Sequence, residues 1–165
     1  MDFDTIFQRL YPQLYRYLHR LTGSSDTAED IAQESFVRLL SRPLPEDEAR
    51  RWLFTVATNL VRDGARSVKT RQRLLVAVPV GPAAVPLQDE EVEREESIAK
   101  VRAALDRIPE RDRMILLMRE EGFRYEEIAG TIGVAPSSVG TLLARAARRF
   151  KDVYCSQETN DDSPG

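Results

Sequence analysis

Small and apolar residues recur at fixed offsets between positions 125 and 149, and this stretch constrains the fold more than any other. Ala129, Gly133 and Val139 are separated by four and then six residues. A small alanine allows a second helix to cross closely over the first, and glycine can take the positive φ that ends a helix. Pro136 suits the first position of the second helix, where no amide hydrogen bond is lost. The spacing therefore predicts a helix-turn-helix.

The second helix of the predicted motif is rich in basic residues. Four bases, Arg145, Arg148, Arg149 and Lys151, precede its first acidic residue, Asp152. A basic helix after such a turn is typical of a protein that reads the major groove of DNA. The alternative is a helical hairpin of an all-α core whose basic residues lie on a solvated face.

A projection at about 100° per residue separates the two faces of this helix. Val139, Leu143, Ala146 and Phe150 share the face predicted to be buried. The residues predicted to contact DNA lie opposite or farther along the helix: Ser137, Ser138, Thr141, Arg145, Arg148 and Arg149. An arginine can hold guanine O6 and N7 together, so we expect sequence readout to rest on Arg145. Arg148 and Arg149 should mainly contact phosphate.

The distribution of charge is compatible with nucleic-acid binding, although the 165-residue chain has a formal net charge of −3. Five bases oppose one acid between positions 62 and 73, whereas six acids oppose one base between 89 and 96. Acids and bases are therefore segregated along the sequence, and the two basic blocks are far apart.

The residues that usually carry enzymatic chemistry are scarce. The chain has one cysteine, Cys155, and one histidine, His19, far apart in sequence. It shows no cluster with metal-ligand spacing, no nucleophile motif and no glycine-rich phosphate loop, so we expect neither an enzyme nor a cofactor or metal. The sequence has no apolar run long enough to span a bilayer and no signal pattern, so we expect a cytoplasmic protein.

The N-terminal part is predicted to contain three helices. Apolar residues recur at three and four over the first twenty-two residues, where Pro12 should kink or divide the helix. The second helix, about Thr27 to Ser41, should start at a capping box of Asp26 and Glu29. The third should run from about Glu46 to Arg71.

Two polar stripes lie on these helices. Asp30, Gln33, Glu34 and Val37 share one stripe of the second helix, which is a solvated face unless a partner covers it. The stripe on the third helix combines an aromatic ring, an amide and arginines: Trp52, Thr55, Asn59, Arg62 and Arg66. Such a stripe could bind a single strand by stacking and phosphate contact, although a lone tryptophan is more often a core residue.

The chain divides at a proline-rich segment. Three prolines and a glycine interrupt residues 76–88, and an acidic run follows. We therefore predict an all-α protein of two small helical domains joined by a flexible linker. The predicted boundaries are 1–75 for the first domain, 76–97 for the linker, 98–155 for the second domain and 156–165 for a disordered tail.

Both parts resemble a known family. AEDIAQESFVRLL followed by RRWLFTVATNLVRDGAR resembles region two of bacterial sigma factors. LDRIPERDRMILLMREEGFRYEEIAGTIGV followed by a basic helix resembles region four. The arrangement, with a short linker between the two, is similar to the extracytoplasmic-function class, and the resemblance covers nearly the whole chain.

The resemblance implies a role for each stripe. The stripe containing Asp30, Gln33, Glu34 and Val37 would dock on RNA polymerase core. The stripe containing Trp52, Thr55, Asn59, Arg62 and Arg66 would recognise and open the minus-ten element, with Asn59 near a flipped base. Region four would read the minus-thirty-five element of promoter DNA. Such factors are commonly held inactive by an anti-sigma factor, in some cases at the membrane, and no small-molecule substrate is implied.

The recognition helix departs from the family at two positions. The family often has a basic residue just after the valine and another two residues further on, where this chain has Gly140 and Leu142. Two other functions remain open from the residues alone. One is a helix-turn-helix regulator that binds an operator without polymerase, and the other is a helical enzyme.

Overall fold

A computed structural model describes residues 2–64 and 89–161 of the chain. These residues form seven α-helices, and no strand occurs within the two described ranges. The N-terminal half, residues 2–64, contains the helices α1 Phe3–Thr22, α2 Ser25–Leu40 and α3 Glu46–Asp63. The C-terminal half, residues 89–161, contains the helices α4 Asp89–Asp106, α5 Glu110–Glu120, α6 Tyr125–Ile132 and α7 Pro136–Asp161.

The N-terminal half is a three-helix bundle whose core comes from the apolar face of each helix. Leu14, Tyr17 and Leu18 of α1 are fully buried and lie among residues of α2 and α3. The Tyr17 hydroxyl lies 2.8 Å from Thr58 Oγ1, so the two buried polar groups satisfy each other. This burial also raises the pKa of Tyr17 well above its usual value.

Of the two outcomes predicted at Pro12, a kink or a division of the helix, the division does not occur. Helix α1 runs unbroken from Phe3 to Thr22 with Pro12 inside it. Pro12 and the residue four positions earlier, Gln8, are both exposed. The carbonyl group that loses its amide partner therefore faces water, which limits the cost of the proline.

The predicted capping box at the second helix is also wrong. The N-cap of α2 is Ser24, whose side chain accepts a hydrogen bond from the Thr27 amide at 3.2 Å. Asp26 instead lies in the first turn, where its charge complements the helix dipole. Several serine and aspartate candidates stood side by side, and the backbone conformation of Ser24, with extended φ and ψ, decided between them.

Three element boundaries differ from the prediction. Helix α3 ends at Asp63, not Arg71, because Gly64 adopts a left-handed conformation with φ of 60°. Helix α4 begins at Asp89, inside the segment predicted as linker, and α7 continues to Asp161, inside the predicted tail. The Gln157 side chain donates to the Lys100 carbonyl at 3.1 Å, which holds the end of α7 against α4. Linker residues 76–88, and with them the expected flexibility there, lie outside the described residues, as do residues 162–165.

The two halves pack against each other. Helix α1 contacts α5, and α3 contacts α6. Phe123, in the turn before α6, is buried with its ring centroid 4.8 Å from that of Phe54 in α3. The described part of the chain is therefore a single packed unit in which the predicted helix-turn-helix lies on the N-terminal bundle. No helix in this part is long and apolar enough to cross a membrane.

The capping assignment can be tested by measuring stability. Ser24→Ala removes the hydrogen bond to the Thr27 amide and should lower the free energy of unfolding by about 1 kcal/mol. Asp26→Ala, the control in the first turn of α2, should cost clearly less. Chemical denaturation followed by circular dichroism measures both. Equal losses for the two variants would show that Ser24 is not the cap.

Candidate nucleic-acid interface

The helix-turn-helix is formed as its spacing predicts. Gly133 ends α6 in a left-handed conformation with φ of 77°, and its amide donates to the Ala129 carbonyl at 2.9 Å. Pro136 is the first residue of α7. Ala129 and Val139 are buried where the two helices cross. These contacts fix α7 relative to α6 at the turn.

The outer face of α7 carries the predicted DNA contacts. All six predicted residues are exposed: Ser137, Ser138, Thr141, Arg145, Arg148 and Arg149. Val139 and Ala146 are completely buried on the opposite face. The helix therefore presents hydroxyl and guanidinium groups outward, the groups that donate to base edges and phosphates.

Arg149 differs from the other arginines of α7 because it has a partner inside the protein. Its Nη1 donates to Asp112 Oδ2 of α5 at 2.7 Å. The Asp112 side chain is 5% exposed, whereas that of Arg149 is 54% exposed. The guanidinium of Arg149 thus neutralises a buried carboxylate while its outer edge remains in water.

Tyr125 and Arg119 extend the exposed surface beside α7, and the sequence reasoning missed both. The Tyr125 side chain is 43% exposed, and the Arg119 guanidinium lies 5.3 Å from its ring centroid. A Cβ at Gly140 would lie 3.6 Å from Tyr125 Cε2, so the tyrosine borders the part of α7 that has no side chain. The signal in the sequence was an aromatic residue at the start of the first motif helix.

The start of α6 is stabilised by a carboxylate. Glu127 accepts from the Arg124 backbone amide at 3.0 Å and from Arg124 Nε at 3.3 Å. Burial opposes ionisation of Glu127, but the hydrogen bonds and the charge of Arg124 outweigh it and lower the pKa of the carboxyl group. The ionised form therefore holds the first turn of the motif.

The stripe on α3 is only partly open to solvent. Thr55 Oγ1 lies 2.9 Å from Thr131 Oγ1 of α6, and Arg62 Nη1 donates to the Thr131 carbonyl at 3.4 Å. Trp52 is half-buried beside a cleft of about 460 Å³ between α3 and α6. Asn59 is exposed, and Arg66 lies outside the described residues. Two of the predicted DNA contacts are thus engaged by the helix-turn-helix itself.

The stripe on α2 is on the surface and is bordered by apolar side chains. Gln33 and Val37 are exposed, and Asp30 and Glu34 are half-buried. Gln33 donates to Glu29 at 3.2 Å, and Arg38 pairs with Glu34 at 3.2 Å. The apolar side chains of Val37 and Leu40 are 58% and 59% exposed. Leu40 is the last residue of α2 and lies about 100° around the helix from the buried Leu39.

Arginines hold the two halves together. Arg50 of α3 lies with its guanidinium 4.3 Å from the Phe123 ring centroid and donates to the Glu121 carbonyl at 2.5 Å. Arg16 of α1 makes two hydrogen bonds to the Glu121 carboxylate, at 2.9 and 2.7 Å. These hydrogen bonds raise the pKa of Arg16 further, against a weaker effect of burial. The interface is therefore rich in charged and polar contacts around one aromatic pair.

Within the residues that the structure describes, no three histidine, cysteine or acidic side chains are grouped so that they could hold a metal ion. The exposed face of α7 and the stripes on α2 and α3 are therefore the candidate binding surfaces among the described residues. They are suited to binding macromolecules because they are polar and spread over several helices.

The chain matches known families in both halves. Residues 6–71 match the model described as sigma-70 region 2, and residues 98–150 match the model described as sigma-70, region 4. The ECF RNA polymerase sigma factor SigL of Mycobacterium tuberculosis is 32% identical, over 84% of this chain and 80% of SigL. EcfG of Rhodopseudomonas palustris is 32% identical, over 93% of this chain and 85% of EcfG.

Other relatives are longer than the matched chain. SigE of Mycolicibacterium smegmatis is 30% identical over 96% of this chain, but the match spans 63% of SigE. The chain spans 49% of the probable ECF sigma factor SigI of M. tuberculosis. Among solved structures, the sigma factor RpoE in complex with the anti-sigma factor NepR from Bartonella quintana matches with a TM-score of 0.64. That match covers 92% of this chain and 96% of RpoE at 20% identity, which establishes a shared fold.

The role of Glu127 predicts a pH dependence. A carboxyl group whose pKa is lowered by folding contributes stability above its unfolded pKa, near 4.5, and loses that contribution as the pH falls through the folded pKa. Glu127→Gln should therefore be less stable than the wild type at pH 6, with the difference shrinking toward pH 3. Glu126→Gln, on the adjacent residue, is the control. Denaturation curves at several pH values measure the difference, and one that stays constant with pH would contradict the assignment.

Proposed function

The chain belongs to the extracytoplasmic-function sigma factors of the sigma-70 family, and we propose that it directs RNA polymerase core to specific promoters. The observation that carries the proposal is the occurrence of a region two match and a region four match on one chain, in that order. In this proposal residues 1–75 act as region two and 98–155 as region four. The protein has no chemistry of its own, because it acts by binding polymerase and DNA.

Core polymerase binds the stripe on α2. Asp30, Gln33 and Glu34 offer polar and acidic groups, and Val37 adds apolar surface beside them. The exposure of Val37 and Leu40 supports this role, since adjacent apolar side chains at the end of one helix provide area that a partner can bury. A basic or mixed helical surface on the polymerase would complement the stripe.

Region two recognises and opens the minus-ten element through α3. Asn59 is exposed and can hydrogen-bond a base that has left the stack, and Trp52 can stack against bases. Thr55, Arg62 and Arg66 contact the strand on either side. In the described structure Thr55 and Arg62 are engaged by Thr131, so they bind DNA only after α6 has moved away.

Region four reads the minus-thirty-five element through α7. Arg145 carries base readout, helped by Thr141 and Ser138, and Arg148 contacts phosphate. Tyr125 borders Gly140, and Arg119 lies against the Tyr125 ring. Both can contact the DNA backbone, which extends the surface where α7 lacks a basic side chain. Because positions 140 and 142 carry no basic side chain, Arg145 is the main residue that recognises the DNA bases.

The distance between the two promoter elements requires the two halves to separate. Their names place them about 25 base pairs apart, which is roughly 85 Å along DNA at about 3.4 Å per base pair. The two threonine hydroxyls of α3 and α6 are 2.9 Å apart. One protein molecule cannot bind both elements while its halves are packed together, so the described state is an inactive one. Binding of polymerase or DNA shifts the population toward an open form in which the halves are separate.

An anti-sigma factor is the proposed regulator, and the cytoplasm is the proposed compartment. The similar protein RpoE was crystallised with the anti-sigma factor NepR, and its fold is shared over nearly the whole chain. A protein that binds the packed form would keep the α3 stripe covered. Co-purification from the source cell would identify such a partner.

The function is tested by transcription with purified core polymerase. The chain should give promoter-specific initiation with core and bind the same promoter weakly without it. Asp30→Arg should weaken core binding at least tenfold, because it reverses a charge in the docking stripe. Asp47→Arg, an exposed charge reversal on α3, should leave core affinity unchanged. Tight binding to the promoter by the chain alone, with no stimulation by core, would favour an operator-binding regulator.

Separation of the halves gives a second prediction. Arg16→Gln with Arg50→Gln removes the side-chain bonds to Glu121, so the open form should gain population and core affinity should rise roughly three- to tenfold. Arg9→Gln with Arg20→Gln makes the same charge change without removing bonds to Glu121. Spin labels at Cys155 and at Gln8→Cys would report the distance between the halves. If Arg16→Gln with Arg50→Gln leaves the distance between the spin labels unchanged and lowers core affinity, the contacts between the halves do not disfavour the open form.

A further inference from the structure

The ion pair between Asp112 and Arg149 joins α7 to a part of the domain outside the helix-turn-helix. Asp112 lies in the first turn of α5, and Arg149 lies ten residues beyond Val139 on α7. Arg149 Nη1 and Asp112 Oδ2 are 2.7 Å apart. The helix-turn-helix does not require this contact, because Asp112 lies outside the motif.

The Asp112 carboxylate is committed to this contact. Its side chain is 5% exposed, and a carboxylate with so little access to water depends on a charged or hydrogen-bonding partner. The start of α5 adds a favourable helix dipole, but the cation within reach is Arg149. Removing either member therefore perturbs the other, which is not expected of an arginine that only reaches for phosphate.

The pair gives α7 a second kind of anchor, a charged one, beside the apolar contacts of Val139 and Ala146 and the hydrogen bond from Gln157 to the Lys100 carbonyl. Val139 is fixed at the turn and Arg149 is fixed at α5, and ten residues of α-helix separate them by about 15 Å. Apolar contacts along one face of a helix allow it to roll slightly about its own axis, whereas a charged contact on the flank of the helix fixes that rotation. Ser138, Arg145 and Arg149 lie on one flank of α7 at about 100° per residue, so the second anchor acts on the flank that carries the readout.

We infer that Asp112 and Arg149 form a clamp that aims α7 in the major groove, so that Arg149 is a positioning residue and not a phosphate contact. The inference rests on the proposed function, since it concerns how region four reads DNA. It assigns promoter specificity to a residue, Asp112, that is buried and does not touch DNA. It also divides the arginines of α7 into a reader, Arg145, a phosphate contact, Arg148, and a positioner, Arg149.

The clamp matters more in this chain because Gly140 and Leu142 supply no cation. Base readout then depends on the direction of one long side chain, that of Arg145, four residues before Arg149. A small rotation of α7 would move the Arg145 guanidinium off the guanine edge, while contacts to the phosphates would adapt. Loss of the clamp should therefore reduce discrimination between sequences more than it reduces affinity for DNA in general.

Salt dependence separates a positioner from a phosphate contact. Each phosphate that a protein cation neutralises adds about 0.9 to the slope of log affinity against log salt concentration. Arg149 is already paired, so Arg149→Gln should leave the slope unchanged, whereas Arg148→Gln should reduce it by about 0.9. Asp112→Asn frees the Arg149 charge, so the slope should stay the same or increase.

The experiment uses holoenzyme assembled from full-length chain and bacterial core polymerase. The probes are a minus-thirty-five duplex selected from a randomised pool by the wild-type holoenzyme and a scrambled duplex of the same composition. Asp112→Asn and Arg149→Gln should each lower the ratio of the two affinities by roughly three- to tenfold. The double variant Asp112→Asn with Arg149→Gln removes the ion pair without leaving a buried charge unpaired, so it should lower the ratio no further than the worse single variant, whereas independent losses would add.

The outcomes separate the clamp from the proposed function. If the wild-type holoenzyme selects no sequence, the proposed function fails before any variant is compared. If it selects one, but Arg149→Gln lowers the slope as Arg148→Gln does and Asp112→Asn leaves the affinity ratio unchanged, Arg149 is a phosphate contact and the clamp is wrong. Thermal melting of each variant checks the fold. If a single variant unfolds, the double variant decides, because a folded double variant that keeps the wild-type affinity ratio overturns the clamp.

Discussion

The burial of Phe123 between the two halves is the contact on which the described arrangement depends. Its ring packs on Phe54, and the Arg50 guanidinium lies over both rings, 5.4 Å from Phe54 and 4.3 Å from Phe123. A cation held against two aromatic faces is favourable when it also finds a hydrogen-bond acceptor, and the Glu121 carbonyl supplies one. Around this centre the interface is polar, as expected of surfaces that associate and separate.

Local patterns in the sequence predicted the helices and the turn well where the residues of the pattern themselves form the structure. Ala129, Gly133, Pro136 and Val139 each have a conformational or packing requirement that can be read one residue at a time, and all four occupy the expected places. Pro12 and Ser24 show the limit of this reasoning. Whether a proline breaks a helix depends on what its freed carbonyl meets, and several side chains compete for one cap.

The contacts between the two halves could not be predicted from periodicity and residue spacing. Arg50 and Glu121 are separated by 71 residues, and nothing in either local pattern marks them as partners. The stripes on α2 and α3 were visible as stripes, but their roles came from the resemblance and remain proposals. Arg149 was predicted only to lie farther along the helix than the residues that read bases, and its partner Asp112, 37 residues away, could be found only in three dimensions.

The end of α1 shows a further consequence of building an interface from arginines. Arg102 donates to the carbonyls of His19 and Arg20, and Arg113 donates to that of Leu21 at 3.1 Å, so the last turn of α1 is capped by the other half of the chain. Dissolved ions weaken such charged contacts, and they also lower the affinity of a protein for DNA. Under the proposed function, salt would therefore weaken the packed form of the protein as well as its binding to DNA. As the cell's ionic strength changes, these two effects oppose each other, and promoter occupancy would vary less than DNA affinity alone would suggest.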